Sequence, residues 1–178
     1  MFPSNYTPPA STSEGNYTKI PEGEAVKLRI LSEAIVGYEY WTNDNKPIRS
    51  EKPFAATPNI REGDKPKHFW AFKVYNYTTE KIEVWEITQA SIRSKLWALW
   101  EDTEDYGDLR NYGLKITRTG SKLETKYEVI AAPPKPLDPA IAQLSADTPV
   151  DLTALLRDES PFAKSEGKQQ TQFDDDDF

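Results

Sequence analysis

Val26, Leu28 and Ile30 alternate with Lys27 and Arg29, the two-residue period of a half-buried strand, and the pattern runs on past Ser32 through Ile35-Val36-Gly37-Tyr38-Glu39-Tyr40-Trp41. Gly37 is the expected bend in that long strand. Thr42 to Lys67 shows no periodicity: Asn43-Asp44-Asn45-Lys46-Pro47 is a turn signal, and Pro53, Pro58 and Pro66 punctuate the rest, which predicts a long irregular connection. From Phe69 to Tyr77, Trp70, Phe72 and Val74 alternate with Phe69, Ala71, Lys73 and Tyr75. Lys81 to Ile87 follows after Thr78-Thr79-Glu80, so the two runs form a β-hairpin. The period then changes. Thr88 to Trp100 carries Ile92, Leu96, Leu99 and Trp100 on one helical stripe behind Thr88 as N-cap. Glu101, Asp102, Glu104 and Asp105 follow where the helix dipole disfavours anions, so the helix ends near Trp100. Tyr112 to Arg118 and Lys126 to Ala131 predict two further strands, with Leu114, Ile116, Tyr127 and Val129 inward and a turn at Thr119-Gly120-Ser121.

The order β-β-β-α-β-β predicts a mainly β fold of the OB type, a five-stranded Greek-key barrel with one helix between strands 3 and 4 and flexible termini. Residues 1–20, rich in Pro, Ser, Thr and Asn, form a flexible N-terminal arm; 21–137 form the OB-fold domain, closed by Pro133-Pro134-Lys135-Pro136. Residues 138–172 are a linker with a candidate short helix at Asp151 to Arg157, for which dimerisation, packing on the barrel and mobility stay open. Residues 173–178, Phe173-Asp174-Asp175-Asp176-Asp177-Phe178, are an acidic tail that cannot stabilise a core. A chain of 178 residues holds one such domain rather than two buried cores.

The chain has no cysteine, which excludes disulfides and cysteine zinc sites and fits a reducing compartment. Its start has no basic or apolar leader and no stretch approaches a membrane span, so the expectation is a soluble cytoplasmic protein that does not enter a membrane. The charge is segregated. Met1 to Lys135 holds 19 basic and 19 acidic residues, whereas Pro136 to Phe178 holds 3 and 10, so the linker and tail together account for the net charge of -7. Asn43 to Lys73 (7 basic, 4 acidic) and Arg110 to Lys135 (6 basic, 2 acidic) are basic stretches that leave room for a polyanionic ligand.

Five Trp and nine Tyr exceed what binding alone needs, and Trp70, Phe72, Trp97 and Trp100 are assigned to the core because they share faces with Val74 or Leu96. Tyr38, Tyr40, Trp41, Phe69, Tyr75 and Tyr77 lie at strand ends or polar faces among Lys46, Arg49, Lys67 and Lys73, the mixture that stacks bases while neutralising phosphates. Half-exposed aromatics that stiffen a sheet are the alternative for each one. Lys115, Arg118, Lys122 and Lys126 offer a second basic edge, or a solvated face. Without a base-reading motif, this surface predicts single-stranded nucleic acid bound with little sequence preference. Catalysis is not expected: His68 is the single histidine, Glu101 to Asp108 places its carboxylates in sequence rather than converging, and no phosphate-cradling glycine motif occurs. No cofactor or metal is expected.

Gly37-Tyr38-Glu39-Tyr40-Trp41, Asn45-Lys46-Pro47-Ile48-Arg49-Ser50, His68 to Tyr77, Ile87-Thr88-Gln89 and Leu114 to Gly120 resemble the single-stranded DNA-binding proteins of tailed bacteriophages over residues 24–137. The resemblance implies an OB-fold that coats and protects single-stranded DNA during replication, recombination and repair in the host bacterial cytoplasm. The acidic tail ending in Phe178 is similar to theirs, and implies phage or host replication and recombination proteins as partners. Bacterial relatives typically carry proline before the last residue where this chain has Asp177, which favours phage-encoded partners. The charge pattern also suggests that Asp174 to Asp177 contest the DNA groove. Two other classes stay open: a protein-interaction module or DNA mimic, and an RNA-directed OB-fold protein. The oligomeric state is not readable from the sequence.

Overall fold

The computed structural model describes residues 16–162. The predicted N-terminal arm, except its last five residues, and the acidic tail lie outside the described residues. The described chain is mainly β, with strands β1 (Ala25–Ile30), β2 (Ile35–Trp41), β3 (Pro47–Ser50), β4 (Lys67–Asn76), β5 (Lys81–Ile87), β6 (Gly113–Thr119) and β7 (Lys126–Ala131). Two helices, α1 (Ala90–Glu101) and α2 (Pro139–Ala146), and three 3-10 turns (Leu109–Asn111, Lys122–Glu124 and Leu152–Arg157) complete it.

All seven strands join one antiparallel sheet in the order β3-β2-β4-β1-β6-β7, with β5 along the other edge of β4. The expected first strand is divided. β1 pairs with the end of β4 (Ile30 opposite Val74) and β2 with its beginning (Ile35 opposite Ala71), so residues 31–34 make the break and Gly37 lies inside β2. Glycine is required at 37 for a different reason: a Cβ there would sit 2.6 Å from the Ser50 carbonyl oxygen and 3.0 Å from the Phe69 ring. The supposedly irregular 42–67 contains β3, whose short polar run lacks an alternating pattern and is held by cross-strand pairing with β2. Five strands were therefore expected and seven are present.

The inner face of the sheet and α1 enclose the main core, in which Leu28, Ile30, Phe72, Val74, Trp85, Ile87, Leu114 and Ile116 are almost fully buried. Helix α1 inserts Ile92, Leu96 and Leu99 and ends where the Asp102 amide donates to Ala98 and Leu99 carbonyls. Its N-cap is Gln89, not Thr88, because β5 runs to Ile87 and the Thr88 amide donates to Gln89 Oε1. A second cluster forms on the outer face. Leu152 and Leu155 from the predicted short helix, which forms as a 3-10 turn, cover Phe69, Ala71 and Val84. Tyr17, beside Val84, meets Phe162 edge-on at 5.7 Å. The candidate segment 151–157 thus packs on the sheet. Helix α2 lies where only linker was expected and starts with Asp138 accepting from the Ala140 amide. No helix among the described residues is long and apolar enough to cross a membrane.

Candidate nucleic-acid interface

Pairing of β2 with β4 sets Val36 opposite Trp70 and Tyr38 opposite His68, which puts these four side chains on one face. Helix α1 stands beside that face and contributes Leu96, Trp97 and Trp100, while Ser32 to Ala34 and Asp108 to Arg110 form the facing wall. Together they bound a groove of about 560 Å³. Trp97 and Trp100, 52% and 48% exposed, are its most accessible rings, and Trp97 lies 6.5 Å from Trp70. Tyr38 and His68 continue the aromatic row at 5.0 Å.

Assignment of Trp97 and Trp100 to the core is corrected here. The buried stripe is Ile92, Leu96 and Leu99; Trp97 and Trp100 each follow a stripe residue, about 100° further round the helix. With Arg93 they make a second stripe at i, i+4 and i+7, which was visible in the sequence as a row of large rings beside an already complete apolar face. Trp70 is half-buried and Phe72 is buried, so the first is shared between core and groove and the second belongs to the core. Burial, and then the Arg93 charge, lower the His68 pKa, leaving a neutral imidazole in the groove at pH 7.

The predicted binding residues divide into three groups. Three are removed by burial. Phe69 lies under Leu152 and Leu155; Tyr40 is 2% exposed, with its hydroxyl donating to the Pro58 carbonyl at 3.1 Å and its ring against Phe54. Arg49 is held between Glu86 at 2.6 Å and Glu39 at 3.2 Å. Burial and the adjoining Glu86 carboxyl push Glu39 up to about 9 against the pull of Arg49, so Glu39 holds its proton at neutral pH and Arg49 pairs chiefly with Glu86. Phe69 and Arg49 are engaged because the outer face, open in a strand-pattern reading, is covered by residues 150–162, and Tyr40 because the 42–67 connection folds Phe54 and Pro58 over it.

A second group is tied down locally. Lys73 Nζ donates to the Ser145 carbonyl at 2.8 Å near the C-terminal end of α2, and burial lowers its pKa. Half-buried Arg118 donates to the Ile20 carbonyl at 3.3 Å. Lys67 lies 3.7 Å from Asp64, and Trp41 carries the Arg61 guanidinium 5.8 Å above its ring. The third group is accessible: Lys46, Lys115 and Lys122 are exposed, and Tyr38, Tyr75 and Tyr77 are half-buried. Of these, Tyr38 joins the groove through His68, while Tyr75 and Tyr77 form a separate pair at 5.0 Å with Lys27 Nζ 5.3 Å from the Tyr77 ring centroid.

Comparison with protein-family models, curated proteins and solved structures returns no significant match for this chain. What the groove can do is therefore a matter of its own chemistry. Its lining is dominated by indole and aliphatic surface; the Arg93 guanidinium stands near His68, and the rim carries Glu33 and Arg110, the latter paired with Asp108 at 2.7 Å. Flat π-faces beside cations suit a planar, anionic, flexible polymer better than a small polar metabolite. Among the described residues no three His, Cys, Asp or Glu side chains gather where they could hold a metal ion.

Proposed function

We propose that this chain binds single-stranded DNA with little sequence preference, stacking bases in the groove between α1 and the β2–β4 face. One observation carries the reading: Trp97 and Trp100 hold about half their surface in solvent beside Trp70, although burial would favour closing all three rings into the core. Stacked bases would cover those faces, each contributing about 1 to 3 kcal/mol. A duplex keeps its base faces hidden and offers the groove nothing to stack.

The connectivity supports an OB-type barrel as the scaffold. If β1 and β2 count as one bent strand, the order β5-β4-β1-β6-β7 with α1 between β5 and β6 is that of the five OB strands, and β3 is an appended edge. In this proposal the protein coats and protects single strands during replication, recombination and repair. The acidic residues Asp174 to Asp177 compete weakly for the DNA surface and, with Phe178, recruit replication proteins. Titration with oligo-dT, oligo-rU and duplex DNA, followed by tryptophan fluorescence, tests it. Quenching by oligo-dT and none by duplex is expected; equal response to duplex, or no response to oligo-dT, refutes it, and preference for oligo-rU makes the ligand RNA.

A further inference from the structure

Arg29 is 2% exposed, yet among the described residues no carboxylate pairs with it. Its Nε donates to the Arg110 carbonyl and its Nη2 to the Lys135 carbonyl, each at 2.9 Å, and Nη1 has no partner. A buried guanidinium is ordinarily balanced by an anion, because neutral carbonyls satisfy its donors without cancelling its charge. Here no carboxylate meets the guanidinium directly, and further cations stand near it.

Strand register places them. Lys27 lies two residues before Arg29 on the same face of β1, Lys115 stands opposite Lys27, and Tyr75 stands opposite Arg29. The backbone segments that accept from Arg29 carry Arg110 and Lys135. Of the neighbouring carboxylates, Asp108 pairs with Arg110 at 2.7 Å and Asp138 accepts from the Ala140 amide, while Glu33 stands near Arg110 and Glu80 near Tyr75. Arg110 also borders the tryptophan groove, while Tyr75 leads to Tyr77 beneath Lys27. Arg29 and Tyr75 lie on the sheet face opposite Trp70, and the Arg110 segment that accepts from Arg29 links that face to the rim of the groove.

Resting on the groove reading above, we propose that a single strand leaving the tryptophan groove crosses the Arg29 ridge, sets backbone phosphate near Lys27 and Lys115, and stacks a further base on the Tyr75–Tyr77 pair. The ligand is the phosphodiester chain itself. Arg29 acts through its field and by holding the Arg110 and Lys135 segments together; Lys27 and Lys115, both exposed, meet the phosphates directly.

Labelled oligo-dT of about four and about twelve nucleotides, within the range one such barrel covers, separates the two surfaces by anisotropy across a salt series. The shorter strand fills the groove; the longer reaches the ridge. The double variant Lys27→Ala/Lys115→Ala should flatten the salt slope for the longer strand by about 1.4, from about 0.7 for each phosphate no longer neutralised, and leave the shorter strand unchanged. Tyr77→Ala should weaken the longer strand about 5- to 150-fold, with no effect on the shorter. If both variants bind the longer strand with unaltered affinity and slope while groove binding persists, the ridge is not on the path. If the wild-type protein binds neither strand, the groove reading falls and the ridge with it.

Discussion

Replacing Trp97 with alanine isolates the groove from the fold. The ring is 52% exposed and its nearest aromatic neighbour, Trp70, is 6.5 Å away, so truncation loses one loose aromatic pair together with about half the burial of a large apolar side chain, about 1 to 3 kcal/mol in all. In a domain of this size that lowers Tm by about 2 to 12 °C. Loss of one stacked base costs about 1 to 3 kcal/mol of binding, or about 5- to 150-fold in Kd. The two losses are of similar size, so the thermal melt is what separates weakened binding from weakened folding. Trp100→Ala should behave alike, and the double variant should fall short of additivity if one base bridges both rings. Trp85→Ala is the contrast: at 2% exposure it costs about 3 to 5 kcal/mol of stability and leaves the groove rings in place. The assay is anisotropy of labelled oligo-dT at fixed salt, beside a thermal melt of each variant. If Trp97→Ala and Trp100→Ala each melt near the wild type and bind within about twofold of it (about 0.4 kcal/mol), the tryptophans do not stack bases and the groove assignment is wrong.

Three further outcomes rest on particular residues. Because the folded-state pKa of Glu39 is raised from its ordinary value to about 9, its stabilising contribution is complete below about pH 4.5 and is lost as pH rises through about 9; Glu39→Gln should flatten the decline in urea-unfolding stability across that window, and an unchanged pH slope contradicts the assignment. Gly37→Ala forces a Cβ against the Ser50 carbonyl and should cost about 1 to 3 kcal/mol, so a variant melting at the wild-type temperature contradicts the close approach. Deleting residues 173–178 should tighten oligo-dT binding, most at low salt where the tethered carboxylates compete best; unchanged or weaker binding removes the competition.

Most strands were readable because alternation records which face is buried. Val26, Leu28 and Ile30, or Leu114 and Ile116, announce themselves by period alone. β3 was not readable: Pro47-Ile48-Arg49-Ser50 is short and nearly patternless, and pairing with β2 makes it a strand. The candidate site was partly readable. Aromatics and cations marked the binding chemistry, and Tyr38, Tyr75, Tyr77 and Lys115 remain accessible. Phe69, Tyr40 and Arg49 were misplaced because partners distant in sequence cover or neutralise them: Leu152 and Leu155, Phe54 and Pro58, and Glu86.

The sequence by itself determined the strand periods, the helix between β5 and β6, and the separation of a neutral body from acidic residues at 174–177, since each depends on neighbours within a few positions. Which aromatic rings meet solvent was decided only by tertiary structure. A side chain's exposure depends on what lies across the sheet or along the helix from it. Residues 150–162 close one face over Phe69, while α1 leaves Trp97 and Trp100 standing open beside Trp70.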